Sequence, residues 1–296
     1  METVDPSNDI REFLSSRRAK LTPEAAGLPA YGSNRRVKGL RREEAAMLAG
    51  ISVEYYTRLE RGNAAGASQE VLEGVARALQ LDEAERAHLF DLVRATNAKS
   101  SSTRRRLSQE RVRPTVQRLL DSIMAPAYLR NGRLDLLAAN ALGVALYSPI
   151  FDDPNGPPNT ARFIFLNAQA TEFFGNWKSI ADDAVAILRA EAGRDPYDRR
   201  LSDLIGELST RSDEFRVRWA AHNVKFHRTG SKTLHHPVVG DLTLDYEALE
   251  LPGDSGQRIL VYSAEPGSRS QQALDLLASW ATTPLKLPAN EPGAGR

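Results

Sequence analysis

Four of the five histidines, His222, His227, His235 and His236, fall within one short stretch, the first place to look for metal or acid–base chemistry. Their spacing disfavours both. His222 and His227 are not at a common zinc spacing, and carboxylates begin only at Asp241. Strand alternation sends His235 and His236 to opposite faces, so one site takes both only with a bulge. Ser231 or Asp245 could complete a triad with the cluster, yet nothing in the spacing requires it. The patterns G-x-S-x-G, G-x-G-x-x-G and the phosphate loop are absent. The sequence contains no cysteine, which removes disulfides, thiolate metal ligands and cysteine nucleophiles. The expectation is a protein that is not an enzyme and uses no metal or cofactor.

A second group of chemically capable residues lies at 39–62, GLRREEAAMLAGISVEYYTRLERG. It reads as a helix, a short turn at Gly50 and a second helix capped by Ser52, the arrangement of a DNA-binding helix-turn-helix. On a wheel of 100° per residue from Val53, the residues Val53, Glu54, Thr57, Arg58 and Arg61 span about 0–140°. Ser52, Tyr55, Tyr56 and Leu59 occupy about 200–300°. One arc docks the helix and the other is free to enter a major groove, which is about 12 Å wide. Arg58 suits guanine O6 and N7, Glu54 suits cytosine N4, and Val53 or Thr57 suits a thymine methyl. Arg61, towards the end of the helix, and Tyr55, beyond the arc at about 200°, suit phosphate. Tyr56 and Leu59 are core, and Glu60 is a structural partner for an arginine such as Arg18, because a carboxylate facing phosphate is repelled.

The elements that must position these groups divide the chain in two. Residues 9–95 read as about five helices and no strand. Ile10, Phe13 and Leu14 face inward on the first; Val71, Leu72, Val75, Ala76 and Leu79 on the fourth; Leu89, Phe90 and Val93 on the fifth, which Asp82 opens. Residues 98–113, AKSSSTRRRLSQERVR, carry six basic residues against one acidic and read as a linker. Beyond it, Val116–Met124 is helical, and Asn131-Gly132 signals a hairpin between Ala127–Arg130 and Arg133–Ala138. Asn140–Leu146 reads as helix, as do roughly 161–173, 177–191, 198–209 and 213–221. Strands follow at Val224–Arg228 and Lys232–His236, separated by a turn at Thr229-Gly230-Ser231. In 241–250, Leu242, Leu244, Tyr246 and Ala248 alternate with Thr243, Asp245 and Glu247. Arg258–Ser263 reads as a central strand and Ser270–Ala281 as a closing helix. Helices inserted among antiparallel strands make an α+β domain.

The segment 39–62 resembles the helix-turn-helix of XRE-type (Cro/C1-like) bacterial regulators, especially the subgroup with RxxxAxLAGxSxxYYxRLExG; that resemblance covers about 10–96. The motifs WAAHNVKFHRTGSKTLHHPVVGDLTLDYEAL and VYSAEPGS resemble the MmyB-type ligand-binding domain of the same regulators, a PAS-like fold. Together they cover about nine tenths of the chain. The resemblance implies a transcription regulator that binds double-stranded DNA through Arg42, Ser52, Val53, Glu54, Tyr55, Thr57, Arg58 and Arg61. Arg42 would hold a phosphate, and the start and middle of the second helix would reach base edges. It also implies a pocket in that domain, and an apolar pocket lined by aromatics with a few polar groups would suit an acyl-like or other small hydrophobic ligand. Aromatic residues are concentrated past residue 127, and the candidate lining is Trp177, Trp219, His222, Phe226, His235 and Tyr246. A homodimer on a palindromic operator is expected; the alternatives are a DNA-tethered enzyme with its site near His222–His236 and a phage-type repressor without ligand, whose carboxy-terminal domain only dimerises.

Charge fits this division. The 296 residues carry a net charge of only +1, which by itself does not suggest a nucleic-acid partner. Residues 1–113 hold 20 basic against 16 acidic residues, however, and residues 114–296 hold 19 against 22. A basic reader joined to a mildly acidic partner domain suggests separate tasks. Leu136–Phe151, the longest uncharged stretch, is too short and polar to span a membrane, and the first residues lack signal-peptide features, so a cytoplasmic location is expected. The expected architecture is therefore multidomain. An all-α five-helix helix-turn-helix domain occupies 1–97 and a basic linker 98–113. An α+β PAS-like domain for ligand binding and dimerisation occupies 114–282, with a flexible tail at 283–296.

Overall fold

A computed structural model describes residues 6–29, 37–97, 112–154, 156–221, 229–252 and 256–281. The amino-terminal unit has the five expected helices, α1 (Pro6–Lys20), α2 (Arg42–Ala49), α3 (Val53–Glu60), α4 (Gln69–Ala78) and α5 (Glu83–Asn97). Each has one apolar stripe and is too short to be stable alone, so packing holds them. Ile10, Phe13, Leu14, Tyr56, Leu59, Val75, Leu89 and Leu92 share one core, each contributing about 1.5–3 kcal/mol by leaving water. Local capping sets the ends. Asp82 and Glu85 exchange hydrogen bonds at the start of α5, with Glu85 N donating to Asp82 Oδ1 at 2.8 Å and Asp82 N to Glu85 Oε2 at 3.1 Å.

The second unit begins with α6 (Pro114–Ser122) and is built on an antiparallel sheet of β1 (Ala127–Arg130), β2 (Leu136–Ala139), β3 (Thr229–His236), β4 (Gly240–Glu250) and β5 (Arg258–Ser263), in the order β2-β1-β5-β4-β3. Seven helices are inserted between β2 and β3: α7 (Ala141–Leu146), α8 (Ser148–Phe151), α9 (Thr160–Leu166), α10 (Ala170–Phe173), α11 (Trp177–Arg194), α12 (Arg199–Arg211) and α13 (Asp213–Ala220). α14 (Arg269–Ala281) closes the chain's described part. Alternation in β4 buries Leu242, Leu244 and Tyr246, as their spacing requires. These join Tyr128, Leu234, Leu260 and Tyr262 in the main core under the inserted helices. The opposite face of β1 and β5 is covered by α6 through Val116, Leu120, Leu129 and Ile259.

Three local expectations change. Thr229-Gly230-Ser231 is not a turn but the first part of β3, paired with Glu247, Tyr246 and Asp245. Gly230 is there because the Tyr246 ring lies on it: a Cβ would sit 2.7 Å from that hydroxyl. The β1–β2 hairpin exists, but its connection is 131–135, not a tight Asn-Gly turn. Asn131 Oδ1 accepts from the backbone N–H of Arg133 and of Asp135, both at 3.0 Å, and the left-handed residue is Leu134, at φ 66°. Burial of the Leu134 side chain and the Thr160 N–H bond to its carbonyl offset the strain there, which local propensity cannot foresee. The expected helix 161–173 is two helices, α9 and α10, separated where Asn167 turns extended. Val224–Arg228, the tail 283–296 and all but the last two residues of the linker lie outside the described residues.

Candidate DNA-reading face and ligand cavity

α2 and α3 are joined by a three-residue turn in which Gly50 takes φ 69°, a left-handed value that a side chain would oppose. Ser52 Oγ then accepts from Tyr55 N–H at 3.1 Å and starts α3. Tyr56 and Leu59 are buried, and Val53, Glu54, Arg58 and Arg61 are exposed with Thr57 half-buried between them. The Arg58 guanidinium rests 4.5 Å from the centre of the Tyr55 ring, which holds it on the outer arc.

The orientation of α3 is fixed at its last residue. Glu60 is only 1 % exposed and its carboxylate takes Arg18 from α1 and Arg42 from α2, each at 2.7 Å. Arg18 also donates to Leu40 O at 2.8 Å. Three helices thus converge on one buried carboxylate whose charge is matched on both oxygens. The pairing with Arg18 is legible in the sequence; the pairing with Arg42 is not. Arg42 remains half-exposed beside the N-terminus of α2 while anchored through Nε, a placement compatible with an anion contact by the rest of its guanidinium.

In the second unit, a small cavity of about 30 Å³ lies between the inner face of the sheet and α9 and α11. Ile180, Asp183, Ala184 and Ile187 line it from α11, and Tyr128, Arg130, Lys232 and Leu260 from the sheet. Leu134, Thr160 and Ile164 complete the wall. Its polar groups are unusual for a core. Lys232 Nζ donates to Tyr262 Oη at 3.1 Å, and the Tyr262 hydroxyl also meets those of Tyr128 at 3.1 Å and Tyr147 at 2.8 Å. Burial lowers the Lys232 ammonium to about 7, with Arg130 pushing the same way and Asp183 opposing. Burial likewise lowers Arg130 and raises Tyr128, Tyr147 and Tyr262. Arg130 Nη2 and Thr160 Oγ1 are buried without a hydrogen-bond partner. Both atoms belong to residues that line the same cavity, where a water or a polar ligand group could pair with them.

The residues singled out by sequence do not meet at this cavity. Tyr246 comes nearest, its ring centre 4.9 Å from Lys232 Nζ, with its hydroxyl raised by burial. Trp177 donates to Ile164 O at 3.0 Å and packs edge-on against Phe165, outside the cavity lining. Trp219 stacks on Phe215, has the Arg189 guanidinium 4.1 Å from its ring centre, and is also absent from the cavity lining. His235 points to the solvent face of β3 and pairs with Asp241 at 2.5 Å, so strand alternation removes it from any site containing Tyr246. His222 and Phe226 lie outside the described residues. His236, on the inner face, is neutral: its Nε2 donates to Ala145 O at 3.0 Å, its Nδ1 accepts from Val238 N–H, and burial lowers its ring. No group of three metal-ligating side chains occurs among the described residues. Nor is any described helix long and apolar enough to cross a membrane.

Arg130 and Lys232 were missed, although a signal existed. Lys232 is in phase with Leu234 and His236 in a strand whose opposite residues are polar, so its side chain had to enter the core.

An exposed helix face held by a buried ionic clamp, followed by a sheet domain with a small polar-lined cavity, fits a DNA-binding regulator with a ligand-binding domain. Comparison with known families agrees. Residues 13–89 match a helix-turn-helix domain, and residues 112–277 match the MmyB-like transcription regulator ligand binding domain. The second match spans more than half of the chain, which belongs to the MmyB-like transcription regulator family. A search of curated proteins returned no match.

Proposed function

We propose that this regulator reads a specific operator through the outer arc of α3 and changes its DNA binding when a small amphiphile occupies the cavity against α11. The observation that carries the DNA reading is the exposure of Val53, Glu54, Arg58 and Arg61 on a helix whose opposite face is locked by Tyr56, Leu59 and Glu60. Arg58 reads guanine, Glu54 cytosine, and Val53 and Thr57 thymine methyls. Arg42, Ser52, Tyr55 and Arg61 lie where the backbone phosphates pass. As a homodimer, the protein would set two such helices about 34 Å apart on a palindromic operator. Arg58→Ala removes a bidentate base contact worth about 1–3 kcal/mol and relaxes selectivity at one base pair per half-site. Selectivity retained in a footprinting assay would overturn the assignment.

The ligand reading rests on the cavity wall. Ile164, Ile180, Ile187 and Leu260 suit an acyl chain, whereas Lys232, Arg130 Nη2 and Thr160 Oγ1 suit an anionic head. Native mass spectrometry with dodecanoate tests it: one equivalent per chain is expected, and Arg130→Met and Lys232→Met should each abolish retention. A second reading, a regulator whose carboxy-terminal domain only dimerises, is favoured by the small size of the cavity, about 30 Å³. Dodecanoate and purified protein that remain wholly unassociated would select it.

A further inference from the structure

The cavity and the DNA-reading unit share one wall. Along α11, Ile180, Asp183, Ala184 and Ile187 recur at intervals of three and four and face the cavity. On the opposite stripe, Arg189 and Gly193 face the amino-terminal unit. At Gly193 an ideal Cβ would lie 2.5 Å from His88 Cε1 of α5, so the His88 ring is seated directly on the α11 backbone. His88 in turn meets Phe13 of α1 edge-on, with ring centres 5.1 Å apart. Arg189 is buried and donates to Trp219 O; burial lowers its guanidinium to about 10, with Asp9 and Glu12 on α1 opposing that fall. Lys20 of α1 reaches Ala221 O at 3.4 Å, just past α13. From Ala184 to Gly193, eight of ten residues are buried on one side or the other. α11 is thus clamped between the two units.

Cavity size gives this arrangement a consequence. A space of about 30 Å³ holds a water, not an organic ligand, whose pocket is typically at least about 300 Å³. One wall must yield. The sheet is cross-linked by its ladders and backed by α6 on β1 and β5, whereas α11 is held laterally by side chains.

We propose that α11 is the coupling element of this regulator: filling the cavity drives α11 against His88 and loosens the docking of the helix-turn-helix unit. The proposal rests on the cavity being the ligand site, but its central test needs no ligand. Ala184→Phe fills the cavity from inside, with Ala184→Leu as the milder variant should the first not fold. Gly193→Ala wedges the same interface from outside, and His88→Ala added to it removes the obstacle.

Hydrogen exchange of the full chain reads the outcome. Each single variant should speed exchange of the α5 amides on the order of tenfold, the usual size of a coupling between sites. The β3 amides should stay protected, and His88→Ala should restore slow exchange in Gly193→Ala. In the unsubstituted protein, dodecanoate should protect β3 and speed α5 together. Unchanged α5 exchange in folded Ala184→Leu overturns the coupling, whatever Gly193→Ala does. Protection of β3 by dodecanoate with α5 unmoved overturns it as well. If dodecanoate leaves β3 unchanged while Ala184→Leu loosens α5, the coupling stands and the choice of ligand falls.

Discussion

Glu60 is the residue whose removal should reveal most about how the reading helix is held. Its carboxylate is buried and takes Arg18 and Arg42 at 2.7 Å each. The Arg18 side chain is itself only 16 % exposed, whereas that of Arg42 is 49 % exposed. Glu60→Ala therefore leaves a cation stranded at Arg18, which still donates to Leu40 O. Breaking a buried pair from one side costs about 3–5 kcal/mol. Nearly all of this should come from the Arg18 side, since a half-exposed pair contributes at most about 1 kcal/mol. Arg42→Ala should thus cost no more than about 1 kcal/mol, and Arg18→Ala several times that, because it abandons a buried carboxylate to a single surface arginine.

The assay is native-state hydrogen exchange on the α3 amides, where about 1.4 kcal/mol corresponds to a factor of ten. Glu60→Ala should speed those amides by roughly two to three and a half powers of ten, and Arg42→Ala by less than about one. Glu60→Gln, which keeps the shape and one acceptor, should fall between. Arg58→Ala is the control and should leave exchange unchanged while altering DNA selection. An acceleration below tenfold in Glu60→Ala, or equal effects at Arg18 and Arg42, would refute the clamp as drawn here.

Two further outcomes follow from local chemistry. Ser52→Ala deletes the hydroxyl that accepts from Tyr55 N–H and should cost about 1 kcal/mol of helix stability, readable in the same exchange experiment. Lys232 falls from 10.5 in the unfolded chain to about 7 when buried, so between those values the unfolded state holds a proton the folded state has released. Stability should accordingly rise with pH above about 7, with a slope approaching 1.4 kcal/mol per unit, and be lowest and level in this respect below it. Lys232→Met should flatten the rise in a series of denaturant titrations from about pH 6 to 9.5, below the range in which tyrosines ionise. An unchanged slope would mean that Lys232 is solvated in the folded state.

The reading of α3 from sequence succeeded because a helix wheel is a local property: Val53, Glu54, Arg58 and Arg61 are placed by 3.6 residues per turn and by a cap at Ser52. The alternation of β4 is legible for the same reason. The cavity was not. Aromatic content directed attention to Trp177, Trp219 and His235, yet aromatic side chains are the usual filling of a core, and these three have partners elsewhere. The cavity is assembled from β1, β3, β5, α9 and α11, segments spread from Tyr128 to Leu260, so no spacing in the chain announces it.

By itself, then, the sequence determined the helix-turn-helix, the face it presents, the division of charge between two units and the α+β character of the second. All of these follow from periodicity, caps and composition within short windows. Only the tertiary structure decided that Glu60 joins three helices, that Thr229–Ser231 belongs to a strand, and that two cations share a cavity. It alone also showed α11 standing between that cavity and the DNA-reading unit. Each of those depends on which distant surfaces meet, and burial there outweighs what the residues would prefer locally.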